Sequence, residues 1–293
     1  MKHDVIVVGG SYAGMAAALQ LVRARRSVLI VDAGQRRNRF ASHSHGFLGQ
    51  DGVDPAVIWD TAREQLLRYP TLTWVEATAT KAEGRKDDFH VALEDGARHG
   101  GRRLLFATGV RDILPDIPGL AERWGKSVFL CPYCHGYELD RGRIGVLATG
   151  PMALHQAQFL PEWGQVTLFT NGAVTPDADV LADLAARGVG VEDTPVARLE
   201  GEAEVVLTDG RRLSFAGLFT AARNVPATPL AEDLGCEQEE TPFGSQIRTD
   251  AMKETTVPGA FACGDAARVP HSVSLAVGDG AWAGAQLHRS LVF

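Results

Sequence analysis

Residues 4–8, Asp-Val-Ile-Val-Val, are apolar and β-branched without alternation, the pattern of a strand buried on both faces. Gly9-Gly10-Ser11-Tyr12-Ala13-Gly14 follows and opens an Ala/Leu-rich helix through about Arg25; a second strand over 27–31 ends on Asp32. Helical apolar spacing returns from 54 to about 69, with Pro55 placed in the first turn. Strands are expected over 71–80, 89–94 and 103–106, the last running into Ala107-Thr108-Gly109. Pro115, Pro118 and Gly119 then break the pattern, as at a domain boundary. A second strand–turn–helix–strand series begins at 144–147: Ala148-Thr149-Gly150-Pro151-Met152-Ala153 opens a helix through Leu160, and 165–170 is the next strand. Ala221-Ala222-Arg223-Asn224-Val225-Pro226 marks a return, an apolar strand ends on Gly264-Asp265, and a last helix covers about 272–291.

The first turn has the spacing of a dinucleotide site, with a pyrophosphate on the helix N-terminus and Asp32 at the strand end for ribose hydroxyls. Gly9 and Gly14 fit G-x-G-x-x-G, and Ser11 stands where the middle glycine belongs. The second turn keeps the shape without the phosphate chemistry. Ala148 replaces its first glycine, and Pro151 removes one N–H from the helix start. The following segment, Thr170-Asn171-Gly172-Ala173-Val174-Thr175, supplies neither an acid for an adenosine ribose nor arginines for a 2′-phosphate.

The series predicts an α/β chain of two Rossmann-like nucleotide-binding domains, the second inserted in the first. Residues 1–113 and 221–293 form the outer domain and 114–220 the inserted one. A length of 293 residues suits two such cores, and 45% hydrophobic with 22% charged residues excludes fibres and disordered tails. A net charge of −7 argues against nucleic acid or an anionic membrane surface as partner. Neither a signal peptide nor a membrane-length apolar window is read, so a cytoplasmic location is expected.

Two of the four cysteines, Cys236 and Cys263, are isolated, whereas Cys131 and Cys134 form a tight pair in Cys-Pro-Tyr-Cys-His-Gly-Tyr-Glu. In a reducing cytosol that pair reads as a redox-active dithiol. The alternatives are a zinc half-site, which lacks a second ligand pair, and a c-type haem attachment, which Cys131, Cys134 and His135 match literally. No metal site is expected. His135 reads as a proton acceptor for thiol–disulfide exchange, since imidazole ordinarily titrates in the range this needs, or as a core histidine. Glu138 reads as its orienting group or as a solvated carboxylate.

The glycine turn, Ala107-Thr108-Gly109, the inserted domain with Cys131 and Cys134, and the 256–265 segment follow the order of the low-molecular-weight thioredoxin reductases, and the resemblance covers essentially the whole chain. Cys-Pro-Tyr-Cys-His-Gly-Tyr-Glu and Ser42-His43-Ser44-His45-Gly46-Phe47-Leu48-Gly49 resemble the thioredoxin-reductase-like flavoenzymes that include the gliotoxin and holomycin dithiol oxidases. The resemblance implies domains of three-layer ββα sandwich type, FAD in the outer domain, and a homodimer. It implies that Gly9, Ser11, Ala13 and Gly14 hold the pyrophosphate, Asp32 the ribose and Ala79 the adenine. Arg39 and His45 would lie along the ribityl and flavin edge, Ala107, Thr108 and Gly109 near the nucleotide, and Gly264 and Asp265 on the ribityl chain. Ser272 and Val273 would open a helix toward the flavin pyrimidine. By the same resemblance Cys134 faces the flavin and Cys131 exchanges with substrate, His135 standing where thioredoxin reductases have an aspartate. His43 has no assigned task.

The implied activity is FAD-dependent thiol–disulfide oxidoreduction on a small dithiol or a thioredoxin-like protein disulfide, and the degraded second turn counts against an NADPH site. The alternatives are an NADPH-dependent reductase of thioredoxin or a small disulfide, and a flavin redox sensor without turnover.

Overall fold

The apolar run at 4–8 lies within the first strand, β1 (Lys2–Val8), of a computed structural model that describes residues 2–293. Two units make up the chain: residues 2–39, 47–111 and 224–293 form the first, and residues 40–46 and 112–223 the second.

In the first unit β1 leads through α1 (Tyr12–Arg23) to β2 (Val28–Asp32), and α2 (Pro55–Leu67) leads to β3 (Leu72–Glu76). The Asp54 carboxylate accepts from the Ala56 N–H and starts α2, with Pro55 in the first turn. β1 pairs parallel with β2, and β2 with β3. An antiparallel meander follows: β4 (Ala79–Arg85), β5 (Asp88–Leu93) and β6 (Arg98–Phe106). The expected single strand over 71–80 is thus divided. β2 offers its last partner, Asp32, to Glu76, and Ala77 N–H donates to the Asp32 carbonyl; the chain then turns away into the meander.

β6 belongs to both sheets. It runs parallel to β1, while residues 98–101 pair antiparallel with β5. Val5, Val7, Val28, Ile30 and Leu105 face the helices, and Ile6, Val8, Leu29, Val31 and Leu104 face Ala82, Phe89 and Val91 of the meander. A sheet covered on both sides has no solvent face, which is why residues 4–8 show no polar alternation.

Beyond β7 (Val110–Ile113) the second unit holds β8 (Val128–Phe129), α3 (Pro132–His135), β9 (Arg143–Leu147), α4 (Met152–Phe159), β10 (Gln165–Phe169), α5 (Ala178–Ala186) and β11 (Gly190–Glu192). A meander of β12 (Val196–Glu200), β13 (Glu204–Leu207) and β14 (Arg212–Ser214) precedes β15 (Gly217–Thr220). The parallel sheet has the order β11-β10-β9-β15-β8. Ile144, Val146 and Val166 pack on Ala153, Ala157 and Leu184 of the helices, and Leu147, Phe169 and Leu218 on Val205 and Leu207 of the meander. Helix, parallel sheet and meander therefore layer in the same way in each unit.

The chain returns to the first unit through β16 (Arg223–Pro226), α6 (Leu230–Asp233), β17 (Gln238–Thr241), β18 (Gly244–Ile247), β19 (Ala260–Ala262) and α7 (Val273–Val292). β19 adds parallel to the second half of β6, at Leu104, Leu105 and Phe106. α7 packs against α1 through glycines: a Cβ on Gly280 would lie 2.1 Å from the Ala13 carbonyl oxygen, and one on Gly284 2.5 Å from that of Ala17. The missing side chains let the two helix backbones touch beside the start of α1.

Candidate functional site

β1 ends at Val8, and the backbone turns back on itself at Gly9, whose φ of +104° suits glycine. A Cβ there would lie 2.3 Å from the Ala107 carbonyl oxygen, and one on Gly14 1.9 Å from that of Gly9. Two bonds hold the turn: Gly10 N–H donates to Asp32 Oδ1 at 2.9 Å, and the Trp59 indole N–H to the Gly10 carbonyl at 2.8 Å. Ser11 is the N-cap of α1 but makes no side-chain capping bond, so its hydroxyl does not fill the helix start. First-turn N–H groups have no carbonyl within their own helix, and Gly9, Ser11, Ala13 and Gly14 therefore surround a start suited to an anion. Thr108 and Gly109 follow the end of β6, Gly109 in the left-handed region at φ +67°, while Ala79 opens β4 half-buried.

The other predicted outer-domain residues cluster beyond β19. Gly264 has φ +67°, and its N–H donates to Asp279 Oδ2 at 2.8 Å. Asp279 is paired at 3.1 Å with Lys253 Nζ, which also donates to the Ala267 carbonyl at 3.2 Å. This ion pair fastens both ends of the single turn Gly264–Ala267 that carries Asp265. The Asp265 carboxylate meets Arg37 Nη1 at 3.1 Å, and the same guanidinium lies 2.8 Å from His271 Nδ1. Arg39, the arginine expected along this edge, instead donates to the Arg36 carbonyl at 2.7 Å. Ser272 Oγ accepts from Leu275 N–H at 3.1 Å and caps α7, with Val273 as its first residue. Trp59, Arg37, Lys253 and Asp279 were not singled out from the sequence, where no spacing ties them to the glycine turn or to Gly264.

In the second unit Cys131 is extended and is the N-cap of α3, a single turn with Pro132 at its start. Cys134 N–H donates to the Cys131 carbonyl at 3.3 Å, and both cysteines are half-buried. Gly136 follows because a Cβ there would lie 2.6 Å from the Trp163 ring. His135 stacks on Phe129, with ring centroids 4.2 Å apart and 17° between planes. Burial, and then the charge of His45, hold His135 down at about 4, so it is neutral near pH 7. That corrects the expectation of an imidazole titrating in its ordinary range: the apolar stack removes the water that stabilises the imidazolium.

Glu138 does not serve as the expected orienting group. Its Oε1 lies 3.4 Å from Nε2 of His45, and the Phe40–Gly46 segment that carries His45 belongs to the cysteine unit. His43 is exposed, its ring 6.3 Å from that of His45.

At the second turn Pro151 is the N-cap of α4. Beyond β10 the Thr170 hydroxyl donates to Asp193 Oδ1 at 3.0 Å, and Asn171 Oδ1 accepts from Val196 N–H at 2.9 Å. The fold thus brings to this sheet end an acid, Asp193, that the 170–175 segment lacks. It also brings a cation, Arg211, engaged by Glu192, Asp209 and Thr194. Among the described residues no group of three or more His, Cys, Asp or Glu could hold a metal ion, and no helix is long and apolar enough to cross a membrane.

Comparison with known proteins extends the likeness over the whole chain. The family profile described as pyridine nucleotide-disulphide oxidoreductase matches residues 3–280. Thioredoxin reductase tcpT of Claviceps purpurea (strain 20.1) is 33% identical, over 99% of this chain and 94% of that one. Thioredoxin reductase sirT of Leptosphaeria maculans is 32% identical, over 96% and 92%. Among solved structures, an oxidoreductase from Agrobacterium tumefaciens superposes with a TM-score of 0.98 at 59% identity, covering 100% of this chain and 99% of that one. The crystal structure of HlmI superposes at 0.92 with 38% identity, covering 99% and 93%.

Proposed function

The chain belongs to the pyridine nucleotide-disulphide oxidoreductase family, and from that premise we propose that it is a FAD-dependent thiol–disulfide oxidoreductase that oxidises a small dithiol through Cys131 and Cys134. The observation that carries this reading is the Cys131–Cys134 turn followed directly by a buried, neutral imidazole, His135. A neutral imidazole accepts a proton from a thiol; an imidazolium could not.

The first unit fits FAD by its own geometry: Gly9 and Gly14 are backbone contacts that any Cβ would break, and the start of α1 is left to an anion. Gly9, Ser11, Ala13 and Gly14 would hold the pyrophosphate, Asp32 the ribose, and Asp265, set by Arg37, the ribityl chain. When bound, FAD takes up the electron pair and delivers it to oxygen or a similar acceptor.

The protein's own steps balance as follows. A substrate thiolate attacks Cys131 Sγ of the Cys131–Cys134 disulfide; the enzyme S–S bond breaks and Cys134 leaves as a thiolate. His135 takes the proton of the second substrate thiol, whose sulfur then attacks the first substrate sulfur. Cys131 departs as a thiolate, and the substrate leaves as a disulfide, having given up two electrons and two protons. The assignment of Cys134 to the flavin side follows the family resemblance.

Pro151 at the start of α4 and the engaged Asn171 support entry of electrons through dithiols rather than NADPH. One observation favours a second reading, an NADPH-dependent disulfide reductase: Asp193 and Arg211 stand at the sheet end where such a cofactor's ribose would lie. Anaerobic addition of dithiothreitol, NADPH or NADH to the yellow holoprotein separates the two. Bleaching by the dithiol alone, abolished in Cys134→Ser, is expected; rapid bleaching by micromolar NADPH would promote the reductase.

A further inference from the structure

His135 poses a question that the exchange chemistry does not answer. A base held neutral by burial accepts a proton only in passing, because its imidazolium is strongly acidic in that surrounding. Each catalytic cycle therefore needs a place for that proton to go. Phe129 covers one face of the ring at 4.2 Å, so the route lies elsewhere.

We infer that His45 and Glu138 form the proton exit of the cysteine pair: the proton that His135 takes from a substrate thiol passes to His45, then to Glu138 and solvent. This rests on the function proposed above.

Three observations converge on it. His45 acts electrostatically on His135, which puts the two imidazoles within interaction range. His45 Nε2 lies 3.4 Å from Glu138 Oε1. Exposure rises along the pair, from 20% for the His45 side chain to 43% for that of Glu138, so the path leads outward. The local chain explains the arrangement. α3 ends at His135, and the next turn, Tyr137–Leu139, carries Glu138 round toward the Phe40–Gly46 segment, which belongs to this unit although it lies some ninety residues earlier. The transfer is of protons only: His135 returns to neutral, and no electron moves.

Both residues act through His135, so slower turnover alone would not distinguish a relay from a prop. The test is single-turnover bleaching of the flavin by dithiothreitol, without oxygen, in holoprotein of matched FAD content. Glu138→Gln and His45→Asn are compared with wild type and with His43→Asn, in water and deuterium oxide, with and without added imidazole. Removing a proton-transfer group typically costs 10²–10⁴-fold; a loss of at least about tenfold is expected here, because water can replace part of the path. Added imidazole should restore the rate of His45→Asn in proportion to its concentration, and Glu138→Asp should recover much of the Glu138→Gln loss. The deuterium oxide effect should grow in Glu138→Gln, and His43→Asn should stay within about twofold of wild type. If His45→Asn does not retain FAD, Glu138→Gln decides.

Variants that bleach as fast as wild type, or slowly with neither imidazole rescue nor a changed isotope effect, overturn the relay and leave the proposed function standing. A wild-type flavin that no dithiol bleaches removes the proposed function, and the relay with it.

Discussion

Replacing His135 by Phe should make the fold less sensitive to acid. His135 is held at about 4, against an ordinary value of 6.5. Between those two values the unfolded chain binds a proton that the folded chain refuses, so lowering the pH favours unfolding. The stability conferred by a neutral His135 is complete above about pH 6.5 and drains away as the pH falls toward about 4. At about 1.4 kcal/mol per pH unit the whole loss is about 3 kcal/mol, and about 2 kcal/mol of it has gone by pH 5. Phenylalanine keeps a flat ring against Phe129 and carries no titrating nitrogen. The assay is urea unfolding of holoprotein, followed by tryptophan fluorescence at pH 7 and pH 5. Carboxylates titrate alike in both proteins, so their contribution cancels in the comparison. The variant should lose about 2 kcal/mol less than wild type between the two pH values. Equal losses, within about 0.5 kcal/mol, would refute the burial argument and return His135 to an ordinary, hydrated imidazole.

Two further outcomes follow from close contacts in the first unit. Gly9→Ala should purify largely without FAD and unfold earlier: its left-handed φ alone costs on the order of 1–2 kcal/mol, and its Cβ would lie 2.3 Å from the Ala107 carbonyl oxygen. Flavin absorbance per protein checks this, and a full FAD complement would contradict it. Lys253→Met should cost about 3–5 kcal/mol by stranding the buried Asp279 carboxylate. The double variant Lys253→Met, Asp279→Leu should lose at least about 1.5 kcal/mol less than the two single losses added together; strict additivity in a double-mutant cycle would show that the two charges do not interact.

Chemistry carried on consecutive residues was open to reading from the sequence, and chemistry assembled across the fold was not. Cys131, Cys134 and His135 share one turn, so their spacing alone placed thiols beside an imidazole. What that imidazole is worth depended on Phe129 and on burial, and a pattern read one residue at a time contains neither. The same divide runs through the first unit. Gly9 and Gly14 announce themselves because the glycine turn is a local necessity, and Asp32 because it ends the next strand. Lys253 and Asp279 look like ordinary surface charges in sequence, yet they form a buried pair that fastens the Gly264–Ala267 turn. Arg39 was preferred to Arg37 from resemblance, but long side chains two positions apart reach different partners, and Arg37 is the one at Asp265. The 170–175 segment lacks acid and arginine, and the sheet nevertheless delivers Asp193 and Arg211 to its end. An argument from missing residues in one segment is therefore weaker than an argument from present ones, because a parallel sheet gathers the ends of strands that are far apart in the chain. The case for dithiol-driven turnover accordingly rests on Cys131, Cys134 and the neutral His135 rather than on the altered second turn.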